Sequence, residues 1–170
     1  NNNNCLKVYY DKALSIIEQD LNDESDNENN SNIKVFGIII LSLLLNLNIN
    51  FIDPNKLIKT LNKSIKEEIN HMNTYIQIKM NKYDYLLTKP NDNKIQLKDD
   101  QNADEGEKSN SDRWNILYQI LVCIERLFNN YINKPNSPYK IQKNNQALYI
   151  ALFDNIILAL KHPHSFVIRS

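Results

Sequence analysis

RWNILYQILVCIERLFNNYI, residues 113–132, carries the clearest structural signal in this chain. Its large apolar residues return every three or four positions, which is the spacing of one face of an α-helix. They are Trp114, Leu117, Leu121, Ile124, Leu127 or Phe128, and Tyr131. Pro135 and Pro138 close the segment, because proline cannot continue a helix. The pattern predicts a helix over 113–132, with Ser111 or Asp112 as its amino-terminal cap.

A second segment of the same kind follows. It starts at Asn144 or Asn145, and its apolar residues recur at intervals of four with a neighbouring stripe beside them. They are Leu148, Leu152, Ile156 and Leu160, widened by Tyr149, Phe153 and Ile157. Lys161 and His162 end this helix, because the ring of Pro163 clashes with the preceding turn. Two helices joined by a short proline-bearing connection predict a helical hairpin.

Two helices are predicted near the amino end. The spacing of Tyr10, Ala13 or Leu14, Ile17 and Leu21 indicates a first helix over 6–21. Residues 22–32 follow as an acidic, Asn-rich loop, since they offer too little apolar surface to offset the entropy of ordering them. The apolar run 35–45 is much shorter than the about 20 residues of a bilayer span. It predicts a helix buried on nearly all sides, with a membrane span or a buried strand as alternatives.

Asp53 and Pro54 mark the start of the next helix, because Asp accepts free amides of the first turn and Pro suits the first helical position. One apolar stripe comprises Leu57 or Ile58, Leu61, Ile65, Ile69 and Met72. The stripe can be extended to Leu87, but a single helix of that length is unusual in a globular domain. We therefore expect a break between His71 and Thr74, with a strand over 76–80 as the alternative to a second helix.

The segments combine into an all-α chain with three regions. Residues 1–88 are helical apart from the loop at 22–32. Residues 89–112 are rich in Asp, Asn and Ser, and we expect a disordered acidic insert there. We expect residues 113–170 to form helical repeats that are truncated at the carboxyl-terminal end. The fold class predicted from these patterns is an α-solenoid fragment with Asn-rich insertions.

The net charge of the chain provides no overall attraction to nucleic acid or to acidic membranes. Lys and Arg number 20, as do Asp and Glu, so the formal net charge is zero. One local basic cluster lies on the helix that follows Pro54, and it comprises Lys56, Lys59, Lys63 and Lys66. An RNA phosphate track would need such a face. A solvated helix surface is the alternative interpretation.

Other motifs favour a non-catalytic protein without cofactor, metal or small-molecule substrate. Two glycines in 170 residues leave little room for a phosphate-binding loop, and no P-loop or C-x-x-C motif occurs. His162 and His164 have no Cys, Asp or Glu near them at ligand spacing. Glu67 and Glu68 are adjacent on a predicted helix and point apart, so we interpret them as solvated surface charges.

The two cysteines are far apart in the sequence. Cys123 lies inside the apolar stripe of the helix over 113–132, whereas Cys5 precedes the first apolar stripe. This placement predicts a buried thiol in a reducing compartment, with a disulfide or a nucleophile as alternatives.

The stretch LALKHPHSFVIRS, residues 158–170, resembles the HEAT-type repeat of the armadillo-like solenoids. A proline turn is followed by Ser165 as a cap and by a new apolar helix. More narrowly, it resembles a Pro-His-x-Trp-Val-Arg phrase of the DRIM family of U3 small-nucleolar-RNA-associated scaffolds. Pro163, His164, Phe166 and Val167 match that phrase, although Phe166 replaces Trp and Arg169 comes one position late. The preceding helix is also similar to the family's, through Trp114, Glu125, Arg126 and Leu127.

This resemblance covers about the last third of the chain, and it implies a function. A member of this family would be a nucleolar, non-catalytic scaffold of the small-subunit processome. Its partners would be pre-ribosomal RNA and processome proteins, with no membrane involved. The alternatives are a HEAT-repeat protein-interaction scaffold of another pathway and a nuclear transport receptor.

Overall fold

The computed structural model of the chain describes residues 2–19, 27–47, 49–88 and 113–161, and the side chains of all of these except 2–3, 27–30, 75 and 78–88. Within this part the chain is helical and contains no strand. The helices are α1 Asn2–Glu18, α2 Asn27–Asn46, α3 Pro54–Thr88, α4 Trp114–Leu127 and α5 Gln146–Ala159. The all-α prediction is confirmed. The predicted insert over 89–112, the caps Ser111 and Asp112, and everything from His162 onward lie outside the described residues.

The predicted start of α3 is confirmed by its hydrogen bonding. Asp53 Oδ1 accepts the backbone N–H of Asn55 at 2.9 Å, and Pro54 is the first helical residue. The start of α2 is not where the sequence placed it. The helix begins at Asn27, so the prediction of a loop through residue 32 was wrong. Glu28 falls in its first turn, where the helix dipole favours an acidic residue.

The expected break in α3 is absent, because the helix runs without interruption over 35 residues. Its interior contains no glycine or proline after Pro54, so nothing in the backbone forces a break. Thr74 is accommodated because its Oγ1 donates to the Asn70 carbonyl at 3.0 Å, one turn earlier. The length of α3 is about 52 Å. Neither the break at 71–74 nor the alternative strand is correct.

The two helices of the predicted hairpin are confirmed with two differences, but they do not pack mainly on each other, because α5 packs against α3. The first helix is α-helical only to Leu127 and then widens into a π-helical turn, Phe128–Ile132. The second has Asn145 at its N-cap position and ends at Ala159, two residues before the predicted end. Tyr131, in the π-helical turn, fixes the connection between α2 and α3. Its hydroxyl accepts the N–H of Ile49 at 2.9 Å and lies 3.4 Å from the Ile49 carbonyl oxygen.

Some helices pack against the next helix in the chain, and some pack against the next but one. The consecutive pairs are α1 with α2 and α3 with α4. The alternate pairs are α1 with α3, α3 with α5, and α2 with α4. Side-chain hydrogen bonds accompany these alternate contacts, the third of them from Asn130 in the π-helical turn that follows α4. These bonds are Thr60 to Glu18 at 2.9 Å, Asn155 to Asn62 at 2.8 Å, and Asn130 to Asn46 at 3.2 Å.

The packing buries one apolar core that all five helices share. Its most enclosed large side chains include Ile17, Ile38, Leu41, Leu61, Ile65, Leu117 and Tyr149. The stripe predicted for α3 is buried as expected. The core therefore joins the helical regions on both sides of residues 89–112.

The apolar helix α2 is buried on one side only. Ile38, Leu41 and Leu45 enter the core, whereas Phe36 is 63% exposed and Leu43 is 56% exposed. The prediction of a helix covered on nearly all sides was therefore wrong. Within the described residues, no helix has both the length and the apolar composition to cross a bilayer.

Candidate functional site

The four lysines singled out from the sequence lie together on the exposed side of α3. All of Lys56, Lys59, Lys63 and Lys66 are solvent-accessible, at positions that share one helix face. Carboxylates lie close to this face. Lys63 Nζ is 3.6 Å from Glu67 Oε1, and Lys56 lines a surface cavity with Asp11 and Glu18. The lysine face therefore exists, but part of its charge is offset locally.

A buried ionic cluster joins α2, α3 and the residue before α4. Lys34 Nζ lies 3.1 Å from Glu67 Oε2 and 3.7 Å from Glu68 Oε1. Arg113 donates to Glu68 through both Nε, at 2.9 Å, and Nη2, at 3.1 Å. Because Glu68 is only 4% exposed, interpreting it as a solvated charge was wrong.

The cluster is structural in its chemistry. Both carboxylate oxygens of Glu68 accept charged hydrogen bonds from Arg113, so neither is left free to act as a base. A signal for it was present in the sequence, because Glu68 falls on the apolar stripe between Ile65 and Met72. A charge on the buried face of a helix needs a partner in the fold.

The prediction of a buried thiol at Cys123 is confirmed, and Cys5 is exposed. Burial raises the pKa of the Cys123 thiol to about 12, which opposes a role as a nucleophile. No group of three or more His, Cys, Asp or Glu side chains that could hold a metal ion occurs in the part of the chain that the structure describes.

The residues of the family resemblance are only partly described. Trp114 packs half-buried against the core, with its ring centroid 6.3 Å from that of Tyr118, and Glu125 is exposed. The remaining residues of the phrase lie outside the described residues. They are Pro163, His164, Phe166, Val167 and Arg169.

An exposed apolar stripe runs along α2, and we call it the α2 seam. It comprises Ile33, Phe36, Ile40 and Leu43 of α2 and Leu47 directly after the helix, with Ile40 partly buried and the others exposed. The intervals of three and four residues are those of a coiled-coil seam. Tyr9 of α1 lies beside it, so that a groove with a cavity of about 410 Å³ forms between the two helices.

A second exposed stripe, the α5 seam, lies at another edge of the packed helices, since α5 packs mainly against α3. It comprises Ile150, Phe153, Ile157 and Leu160. The sequence placed Phe153, Ile157 and Leu160 on the buried stripe, which was wrong. Tyr149 and Leu152 of that stripe are buried as predicted, together with Ala159. Periodicity missed both seams, because α2 and α5 are apolar around most of their circumference, and such a pattern does not say which side is covered.

Comparison of the chain with protein-family models, with curated proteins and with solved structures finds no match.

Proposed function

We propose that this chain is a segment of a two-layer α-solenoid that acts as a non-catalytic scaffold for other helical units. The observation that supports this most is the order of packing. The helices α1, α3 and α5 contact one another in sequence, as do α2 and α4, while α1 with α2 and α3 with α4 form hairpins. Stacked hairpins produce this order, because each repeat contacts only its neighbours.

The direction of the helices supports the same arrangement. Lys34 near the start of α2 and Arg113 at the start of α4 meet at Glu68, whereas Asn46 at the end of α2 bonds Asn130 beyond the end of α4. These two helices are therefore parallel neighbours. In a closed up-and-down four-helix bundle, parallel helices lie diagonally across the core rather than side by side.

The α5 seam supplies the scaffold's binding surface in this proposal. A terminal solenoid repeat needs a polar outer face to remain soluble. The outer face of α5 is instead apolar at Ile150, Phe153 and Ile157, which are between 43% and 59% exposed. An exposed face of this composition is stabilised by another helix packed on it.

The assignment to the small-subunit processome is a finer proposal, and it rests on the sequence resemblance. Under it, the scaffold would hold pre-ribosomal RNA and processome proteins in the nucleolus, and the lysine face of α3 would contact RNA phosphates. In vitro, replacing Lys56, Lys59, Lys63 and Lys66 with Gln should flatten the salt dependence of RNA binding. An unchanged salt slope would remove this face from the proposal.

The experiment that tests the function is in-cell crosslinking of the tagged protein, with sequencing of crosslinked RNA and quantification of recovered proteins. Enrichment of small-subunit precursor RNA with U3 RNA is the expected result. Protein partners without such RNA would contradict the processome assignment.

The paired replacements Phe153→Glu and Ile157→Glu should remove partners held by the α5 seam, whereas the control Gln146→Glu on the same helix should retain them. Unchanged recovery in the paired variant would contradict the role of the α5 seam.

A further inference from the structure

We propose that the α2 seam, together with Tyr9, is a docking site for one amphipathic helix of a partner protein, with acidic side chains flanking that helix's apolar face. This goes beyond the scaffold role, because a solenoid segment could act through the α5 seam alone. The two surfaces lie on different helices and can be tested separately.

The shape of the groove fits a helix. Its lining is apolar except for Asn46 and the Tyr9 hydroxyl, and it comprises Tyr9, Ile40, Leu43, Leu44, Asn46 and Leu47. From Ile33 to Leu47 the α2 seam spans four turns, or about 21 Å. Side chains at heptad spacing form holes that accept the side chains of a second helix laid along them.

The exposed area is sufficient for a specific contact. Six large side chains of the seam and of α1 are each about half or more exposed; they are Val8, Tyr9, Ile33, Phe36, Leu43 and Leu47. Covering them would bury on the order of 600 Å² on this protein, near the about 800 Å² per partner of a standard interface.

The charge at the edge of the groove selects the partner. Between Val35 and Leu47 α2 has no charged residue, and Lys34 is buried against Glu67. Lys12 of α1 lies one turn from Tyr9, which lines the groove, and one turn from Ile16, which lies beside Gly37. Lys12 is exposed and forms no ion pair with any residue that the structure describes. This cation beside the groove favours an acidic flank and repels a basic one.

The same cation disfavours a second copy of this chain as the occupant. If two α2 seams packed antiparallel about a two-fold axis, the two α1 edges would lie on the same side of the interface. Each copy would then bring its Lys12 toward the other, and this like-charge contact opposes association.

Cys5 offers a direct measurement of docking. It lies one turn before Tyr9 on α1 and is exposed, whereas Cys123 is fully buried, so an environment-sensitive fluorophore can be attached to Cys5 alone. The probes are two synthetic amphipathic helices of about 18 residues with the same Leu and Ile seam. One has Glu at the flanking positions and the other has Lys.

The acidic peptide should bind about fivefold more tightly than the basic one, and Lys12→Glu should reverse this preference. Leu43→Glu should weaken binding of both peptides by about tenfold or more, whereas Gln146→Glu at an exposed position of α5 should leave both unchanged. Thermal midpoints of Leu43→Glu and Gln146→Glu that match that of the unmodified protein exclude general unfolding as the cause of weaker binding.

Three results would overturn the proposal. The first is failure of the acidic peptide to bind. The second is equal affinity for the two peptides with no response to Lys12→Glu. The third is self-association in sedimentation experiments that Leu43→Glu abolishes, which would assign the seam to a second copy.

Discussion

Among individual residues, Glu68 has the most consequential placement. Its carboxylate compensates two cations, Lys34 and Arg113, that come from different parts of the chain. Removing one member of a buried ionic group leaves the others uncompensated in a medium that solvates them poorly. The cluster therefore ties the start of α4 to α2 and α3.

We expect Glu68→Ala to lower the free energy of unfolding by about 3 kcal/mol. Lys34 would lose one of its two carboxylate partners, and Arg113 would lose the carboxylate that it binds through two nitrogens. The matched control is Glu125→Ala on exposed α4 surface, which should change stability by less than about 0.5 kcal/mol. Urea denaturation measures both. Equal effects of the two substitutions would contradict the importance of the buried cluster.

The buried thiol of Cys123 should make the free energy of unfolding depend on pH in the alkaline range. Burial raises its pKa from 9.0 to about 12, so between these values the unfolded chain loses a proton that the folded chain keeps. The folded state then binds more protons, and its stability falls as pH rises, by up to about 1.4 kcal/mol per pH unit for one such group. Cys123→Ala should reduce this slope between about pH 9 and 11. An unchanged slope would mean that the thiol does not contribute.

Among the helices, α1 and α2 come into close contact at Gly37. A Cβ atom there would lie 3.1 Å from Ile16 Cγ2 and 3.4 Å from the Ala13 carbonyl oxygen. The absence of a side chain thus sets the distance between the two helices, and with it the floor of the groove beside the α2 seam.

We expect Gly37→Val to destabilise the protein by about 2 kcal/mol, because its branched side chain must displace Ile16. Asn32→Val on the exposed side of the same helix is the control and should be close to neutral. Thermal unfolding followed by circular dichroism compares them. A Gly37→Val protein as stable as the control would show that the α1–α2 contact can widen without cost.

The sequence predicted where the helices lie better than it predicted which of their apolar side chains are covered by neighbouring helices. The periodicity of α3 and α4 identified their buried faces, and Asp53 with Pro54 located the start of α3. The continuity of α3 was missed because helix length is a weak statistical guide, whereas the absence of a helix-breaking residue is a physical one. The α2 and α5 seams were missed because apolar character shows what a side chain prefers, and only the arrangement of neighbouring helices shows whether it is covered.

For the molecule as a whole, the central claim is that the helices form an open stack and not a closed bundle. In an open stack α3 lies between α1 and α5, and the outer helices expose apolar seams. The scaffold function that we propose depends on this claim, because a closed bundle would have no face on which a further helix could continue the stack.

The most direct test measures three distances with nitroxide labels at exposed positions, one pair at a time. The sites are Asp11→Cys on α1, Lys59→Cys on α3 and Asp154→Cys on α5, in a Cys5→Ser protein that retains buried Cys123. Neighbouring helices lie about 10 Å apart, so α1 and α5 should be separated by about twice the α1–α3 and α3–α5 steps. Three similar short distances would instead describe a closed bundle and contradict the account.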